Sequence, residues 1–120
     1  MNTYLRFIII LGLLDYIWLS STYSTQKSFY ESIQQSPFQV DRTAMILFYL
    51  IAPIAFKHFI QPLSKNKSDA FKKGCLMGFL MYMTFDLSNK AIFSRFTWEY
   101  AIRDMIWGTL VIGLTSYLTY

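Results

Sequence analysis

Four apolar blocks dominate this 120-residue chain, at about 4–23, 43–61, 71–90 and 98–119. Each is close to the roughly 20 residues a helix needs to cross a hydrocarbon core of about 30 Å. In lipid every backbone donor and acceptor must be satisfied within the protein, so only helices and closed barrels span it. The blocks lack the period-two alternation of barrel strands, which makes helices the expected form. The fold class that follows is all-α: a single polytopic membrane domain over 1–120, with four transmembrane helices in an up-down-up-down bundle.

Composition agrees with that reading. Charged residues make up 15% and apolar ones 54% of the chain, against a charged share of about 25% in soluble domains. The net charge of +4 is not a nucleic-acid signal, because the basic residues flank apolar blocks where they meet lipid headgroups. The expected partner is the lipid bilayer, with no nucleic acid. With an even number of spans, both termini and the second connector share one side. That side carries Arg6, Lys57, Lys65, Lys67, Lys72 and Lys73, while Lys27, Arg42, Lys90 and Arg95 lie opposite. The excess places both termini in the cytoplasm and the chain in the cell (inner or plasma) membrane. The first block has signal-peptide features, but Asp15 interrupts its apolar run.

Two local expectations concern the chain between and within the blocks. The polar stretch 24–42 reads as a short interfacial helix ending before Pro37, with Phe29, Tyr30 and Ile33 on one face, or as a loop. Pro53, inside the second block, leaves the Tyr49 carbonyl without an amide donor and is expected to kink that helix.

The acids are the main functional signal. Alternating helix direction brings Asp15, Asp86 and Asp104 to one slab on the non-cytoplasmic side, roughly 6–12 Å below the surface. A carboxylate at a helix centre costs about 2.5–3.5 kcal/mol on insertion scales, so the three are expected to face inward, share protons or pair. Candidate partners are Asn89 and Tyr82 for Asp86, and Arg103 for Asp104, although Glu99 and Arg103 stand at i,i+4 and can pair with each other instead. Trp107, one turn past Asp104, can donate its indole N–H to a carboxylate. Trp18 and Trp98 lie at depths where an aromatic belt is expected. Gly74 and Gly78 form a G-x-x-x-G that permits close helix packing. The run D-x-I-W occurs at 15–18 and again at 104–107, in helices of opposite sense, as in an inverted repeat.

No Ser-His-Asp set, phosphate-binding glycine loop or metal-spaced cluster is present. His58 and Cys75 are the only residues of their kinds, and no catalytic residue, metal or cofactor is expected.

The motifs D-Y-I-W-L at 15–19, F-Y-L-I at 48–51, G-F-L-M-Y-M-T-F-D-L-S-N at 78–89 and D-M-I-W-G at 104–108 together resemble a family of small predicted membrane proteins, domain of unknown function 2177. Phe85 stands where that family usually has Tyr, and Ser88 where it usually has Thr. The resemblance implies a four-span membrane protein with Asp15, Trp18, Asp86, Asn89, Asp104 and Trp107 as signature positions, and it supplies no activity. Three functions follow from the residues, in decreasing order of support. The first is a small transporter or channel-like protein whose acids bind a proton, a cation or a polar substrate, with homo-oligomerisation needed to enclose a pathway. The second is a structural or accessory protein in which the acids are interhelix glue. The third is a lipid-modifying enzyme.

Overall fold

Four short polar side chains set where the helices begin. In the computed structural model, which describes residues 1–120, Asn2 accepts a hydrogen bond from the Leu5 amide (2.8 Å) and opens α1, Thr3–Gln34. Asp41 does the same for the Ala44 amide (3.0 Å) at the start of α2, Arg42–Ala55. Asn66 caps α3, Lys67–Ile92, through the Asp69 amide (2.8 Å), and Thr97 caps α4, Trp98–Thr119, through the Tyr100 amide (3.2 Å). Each cap satisfies one of the amides that a helix start leaves without a partner.

The expected break after residue 23 does not occur. α1 runs unbroken for 32 residues, about 48 Å at 1.5 Å per residue. It stops where Gln35 turns into the left-handed region (φ 58°), its amide returning to the Glu31 carbonyl at 2.9 Å. The Glu31 carboxylate then accepts the Phe38 amide (2.7 Å) and Lys27 Nζ (3.3 Å), and these bonds hold its carboxyl below the ordinary value. The polar extension is helical because its apolar face has a partner. Phe29, Tyr30 and Ile33 pack on Phe96, Tyr100 and Ala101, with the Phe29 and Tyr100 rings stacked at 3.8 Å.

α2 passes through Pro53 and then winds into a π-helical turn, Phe56–Ile60, whose i→i+5 bond runs from the Gln61 amide to the Phe56 carbonyl (2.8 Å). The regular α-helix thus ends two residues after Pro53. The wider turn places Phe56 and Ile60 in the core beside Phe7 and Leu11, with the Phe7 and Phe56 rings 5.3 Å apart.

Neighbouring helices run antiparallel. The start of α1 meets the end of α4, where Arg6 donates to the Leu118 and Thr119 carbonyls, while the far end of α1 meets the start of α4 at Phe96 and Tyr100. α3 and α4 form the closest pair in the molecule. α2 lies against α1 and reaches α3 chiefly through its π-helical turn. Lys67 donates to the Tyr117 carbonyl (3.0 Å) and the Tyr120 hydroxyl to the Ser64 carbonyl (2.9 Å). Two cations thus sit on the last carbonyls of α4, where the helix dipole favours positive charge. At this same end Asp69 accepts Lys73 Nζ (3.0 Å) and the Lys65 amide (3.0 Å), which holds its carboxyl low.

Two helical stretches, Thr3–Gln34 and Arg42–Ile60, are long and apolar enough to cross a membrane. α3 and α4 carry charges at Lys67, Asp69, Lys72, Lys73, Asp86 and Lys90 in one and at Glu99, Arg103 and Asp104 in the other.

Candidate functional site: an acid-lined cavity

The close approach of α3 to α4 depends on missing side chains. A Cβ on Gly78 would strike the Gly108 carbonyl oxygen and lie 2.8 Å from Ile112 Cβ, and a Cβ on Gly74 would lie 2.7 Å from Ser116 Cβ. The contact brings Asp86 of α3 beside Asp104 of α4, with no hydrogen bond joining the two carboxylates. Asp86 is fully buried at 0% exposure, and neither of its oxygens has a hydrogen-bond donor. Asn89 and Tyr82, its expected partners, do not reach it. Asn89 makes no side-chain hydrogen bond and is partly exposed, while the Tyr82 ring lies over Gly108. Arg103 turns away from Asp104 and pairs with Glu99 across one turn at 3.4 Å. Two carboxylates held this close repel each other unless a proton or a cation comes between them.

Asp15 is held differently. It is also buried, at 6% exposure, but the Tyr49 hydroxyl donates to one of its oxygens (2.8 Å) and the Trp107 indole N–H to the other (3.2 Å). One carboxylate thereby ties α1 to α2 and to α4. Trp18 is partly buried against α4. Its ring stacks on Trp107 with centroids 4.7 Å apart and planes 8° from parallel. The two D-x-I-W runs therefore meet face to face, but the exchange is one-sided: Trp107 serves Asp15, and no hydrogen bond joins Trp18 to Asp104. Trp98 is exposed, with Lys90 Nζ 5.6 Å from its ring.

Asp15 and Asp104 line a cavity of about 410 Å³ bounded by all four helices. Trp18 forms part of its wall on α1, Phe48 and Tyr49 on α2, and Tyr82 and Phe85 on α3, with Trp107 completing it on α4. At the far end the Tyr100 hydroxyl donates to Gln26 Oε1 (3.1 Å) and lies 3.1 Å from the Tyr30 hydroxyl, closing the cavity with a polar seam between α1 and α4. No Lys, Arg or His is part of the wall. The three acids are neighbours, yet they do not come together as one cluster able to hold a metal ion. Three of the residues around the cavity carry little sequence signal of such a role: Tyr49, Gln26 and Tyr100. Each is an ordinary helix residue until the helices are packed, although Tyr49 falls within the F-Y-L-I run.

The family model described as Predicted membrane protein (DUF2177) matches residues 1–120, the whole chain. The chain belongs to this family. No curated protein matches it, nor does any solved structure. Members of the family are therefore predicted membrane proteins of unknown function, and what this chain does has to be argued from the cavity.

Proposed function

We propose that the protein crosses the cell membrane four times, with both termini in the cytoplasm, and acts as a small transporter or channel-like protein that binds a proton or a cation at Asp86 and Asp104. The observation that carries this reading is the unpartnered Asp86 carboxylate, fully buried behind Asp104, which itself lines a cavity without a basic side chain in its wall. A carboxylate retained as glue would be hydrogen-bonded, because leaving such a group unsatisfied costs more than any bond it makes elsewhere. A carboxylate pair that must exchange a proton or a cation has use for the missing donors.

The four-span part is supported by the outer surface. Leu13 and Ile17 on α1, Ile46 and Ile51 on α2, Leu76 on α3 and Ile106 on α4 are all more than half exposed. Soluble monomers rarely expose continuous apolar surface on this scale, and lipid covers it at no cost. The basic residues Arg6, Lys65, Lys67 and Lys73 gather at one end, as the positive-inside rule requires of the cytoplasmic face.

The glue reading has one specific observation behind it, at Asp15 alone, whose two donors come from two other helices. The acids thus divide, with Asp15 a structural tie and the Asp86–Asp104 pair the titrating or ion-binding site. Proteoliposomes loaded with a pH-sensitive dye test the division. The parent is expected to show proton or cation flux that depends on pH, and Asp86→Asn or Asp104→Asn to abolish it while the protein still inserts. Flux equal to the parent's in both variants refutes the proposal.

A further inference from the structure

The gap between α2 and α3 adds a direction to this site. α2 lies against α1 and touches α3 mainly at the π-helical turn, so the two helices stand apart over the end where the cavity lies. The edges of that gap are apolar side chains that line the cavity and are also exposed outside it: Met45 and Phe48 on α2 at 44% and 37%, and Phe85 on α3 at 50%. With the chain in a bilayer, this mouth faces lipid rather than water.

We propose that the cavity takes a small organic cation, an alkyl- or arylammonium group, which reaches Asp104 sideways from the bilayer between α2 and α3. This rests on the membrane-embedded, cation-binding reading given above and narrows it to a ligand class and a route.

The wall chemistry selects that class. Of the 14 residues around the cavity, eight are aromatic and 11 are apolar, and the only charges are the carboxylates Asp15 and Asp104. A hard metal cation takes about six to eight oxygen ligands gathered around one point, and the acids here do not converge as a group able to hold a metal ion. A quaternary or alkylated ammonium asks for the opposite set: ring faces that attract its diffuse charge, apolar surface for its carbon, and a carboxylate to balance it. Its volume fits too, since about 410 Å³ falls in the range of roughly 300–1,000 Å³ typical of small-ligand sites. An anion is excluded by the two acids and by the absence of any basic side chain in the wall. The stacked Trp18 and Trp107 form one side of the chamber, so occupancy has a built-in optical signal.

Benzyltrimethylammonium is a suitable probe, with neopentylbenzene as its uncharged isostere. Trp98 is exposed and lies outside the cavity wall, so Trp98→Phe leaves only the stacked pair emitting. In nanodiscs this protein is expected to show saturable quenching by the cation, at least tenfold tighter than by the isostere. Asp104→Asn should weaken the cation at least tenfold and leave the isostere unchanged. Phe85→Leu, at the exposed mouth, should weaken both without unfolding the protein, as checked by circular dichroism. Equal affinity for cation and isostere, or no saturable quenching, overturns the inference. The flux assay separates the two levels. Proton flux that depends on Asp104, without cation quenching, leaves the carboxylate site standing and removes only the organic ligand. Loss of both signals removes the site itself.

Discussion

Gly78→Ala puts the packing of the molecule to its sharpest test. The new Cβ would strike the Gly108 carbonyl oxygen and stand 3.0 Å from the Gly108 carbonyl carbon and 2.8 Å from Ile112 Cβ. Two of these atoms are backbone and cannot rotate aside, so α3 and α4 must separate. Overpacking of this kind costs about 1–3 kcal/mol, offset by up to ~1 kcal/mol because Ala is the better helix former. With rigid neighbours the upper part of that range applies, for a net loss of about 2 kcal/mol. Gly12→Ala is the matched control. Nothing lies within 4 Å of a Cβ there, so only the propensity gain remains and the variant should be as stable as the parent or up to ~1 kcal/mol more so. The two variants should therefore differ by about 3 kcal/mol, measurable as a shift in the SDS fraction needed for reversible unfolding in mixed micelles, read by tryptophan fluorescence. If Gly78→Ala unfolds at the same SDS fraction as Gly12→Ala, the backbone contact between α3 and α4 is not what holds the pair together. Gly108→Ala belongs to the same series with an added outcome. Its Cβ would fall on the base of the Tyr82 ring and not on its free end, so the whole side chain must swing away: stability should fall by a similar amount and, in addition, the cavity should change shape.

Two further predictions concern hydrogen bonds made by α1, one at its middle and one near its C-terminal end. Tyr49→Phe removes one donor to Asp15; in a double-mutant cycle with Asp15→Asn the coupling should be about 0.6 kcal/mol and at most ~1.7, and strictly additive losses would deny Asp15 its structural role. Glu31 has its carboxyl held below the ordinary value of 4.5 by the Phe38 amide and Lys27, so the charged form is favoured by folding. The turn it closes should be fully protected above about pH 4.5 and open as pH falls through the lowered value. Protection of the Phe38 amide, corrected for intrinsic exchange, should drop on acidification in the parent and stay low throughout in Glu31→Gln; a flat parent profile would refute the linkage.

Much of the fold was legible because its signals are local. α4 begins and ends at 98 and 119 in both sequence and structure, since Thr97 is a good cap and no proline interrupts the segment behind it. The G-x-x-x-G at Gly74 and Gly78 lies against α4, as small residues at that spacing suggest. The length of α1 was not legible. Between Ser24 and Gln34 the chain is polar, and what keeps it helical is a set of aromatic contacts with residues some 70 positions away. The readable hints were the helical face shared by Phe29, Tyr30 and Ile33 and the absence of any Gly or Pro before Pro37; that this helix continues α1 without a break was not readable. The stacking of Trp18 was not legible for a related reason. Its depth in the helix fits an aromatic belt, but depth says nothing about azimuth, and the ring points inward to Trp107. The site shows the same division. The three acids and the Trp107 donor were visible as residues, whereas which acid receives that donor and which is left bare depends on helix rotation, and one-dimensional spacing does not encode it.

The tight α3–α4 pair also bears on how such a chain is made. The stretches Thr3–Gln34 and Arg42–Ile60 are long and apolar enough to cross a membrane each by itself. α3 brings Asp86, and that acid has nothing beside it until Asp104 and the glycine-flattened face of α4 arrive. On the four-span reading, the second half of the protein therefore enters the bilayer as a preformed hairpin. A ribosome stalled shortly after α3 would hold a helix still poised at the channel, waiting for its partner.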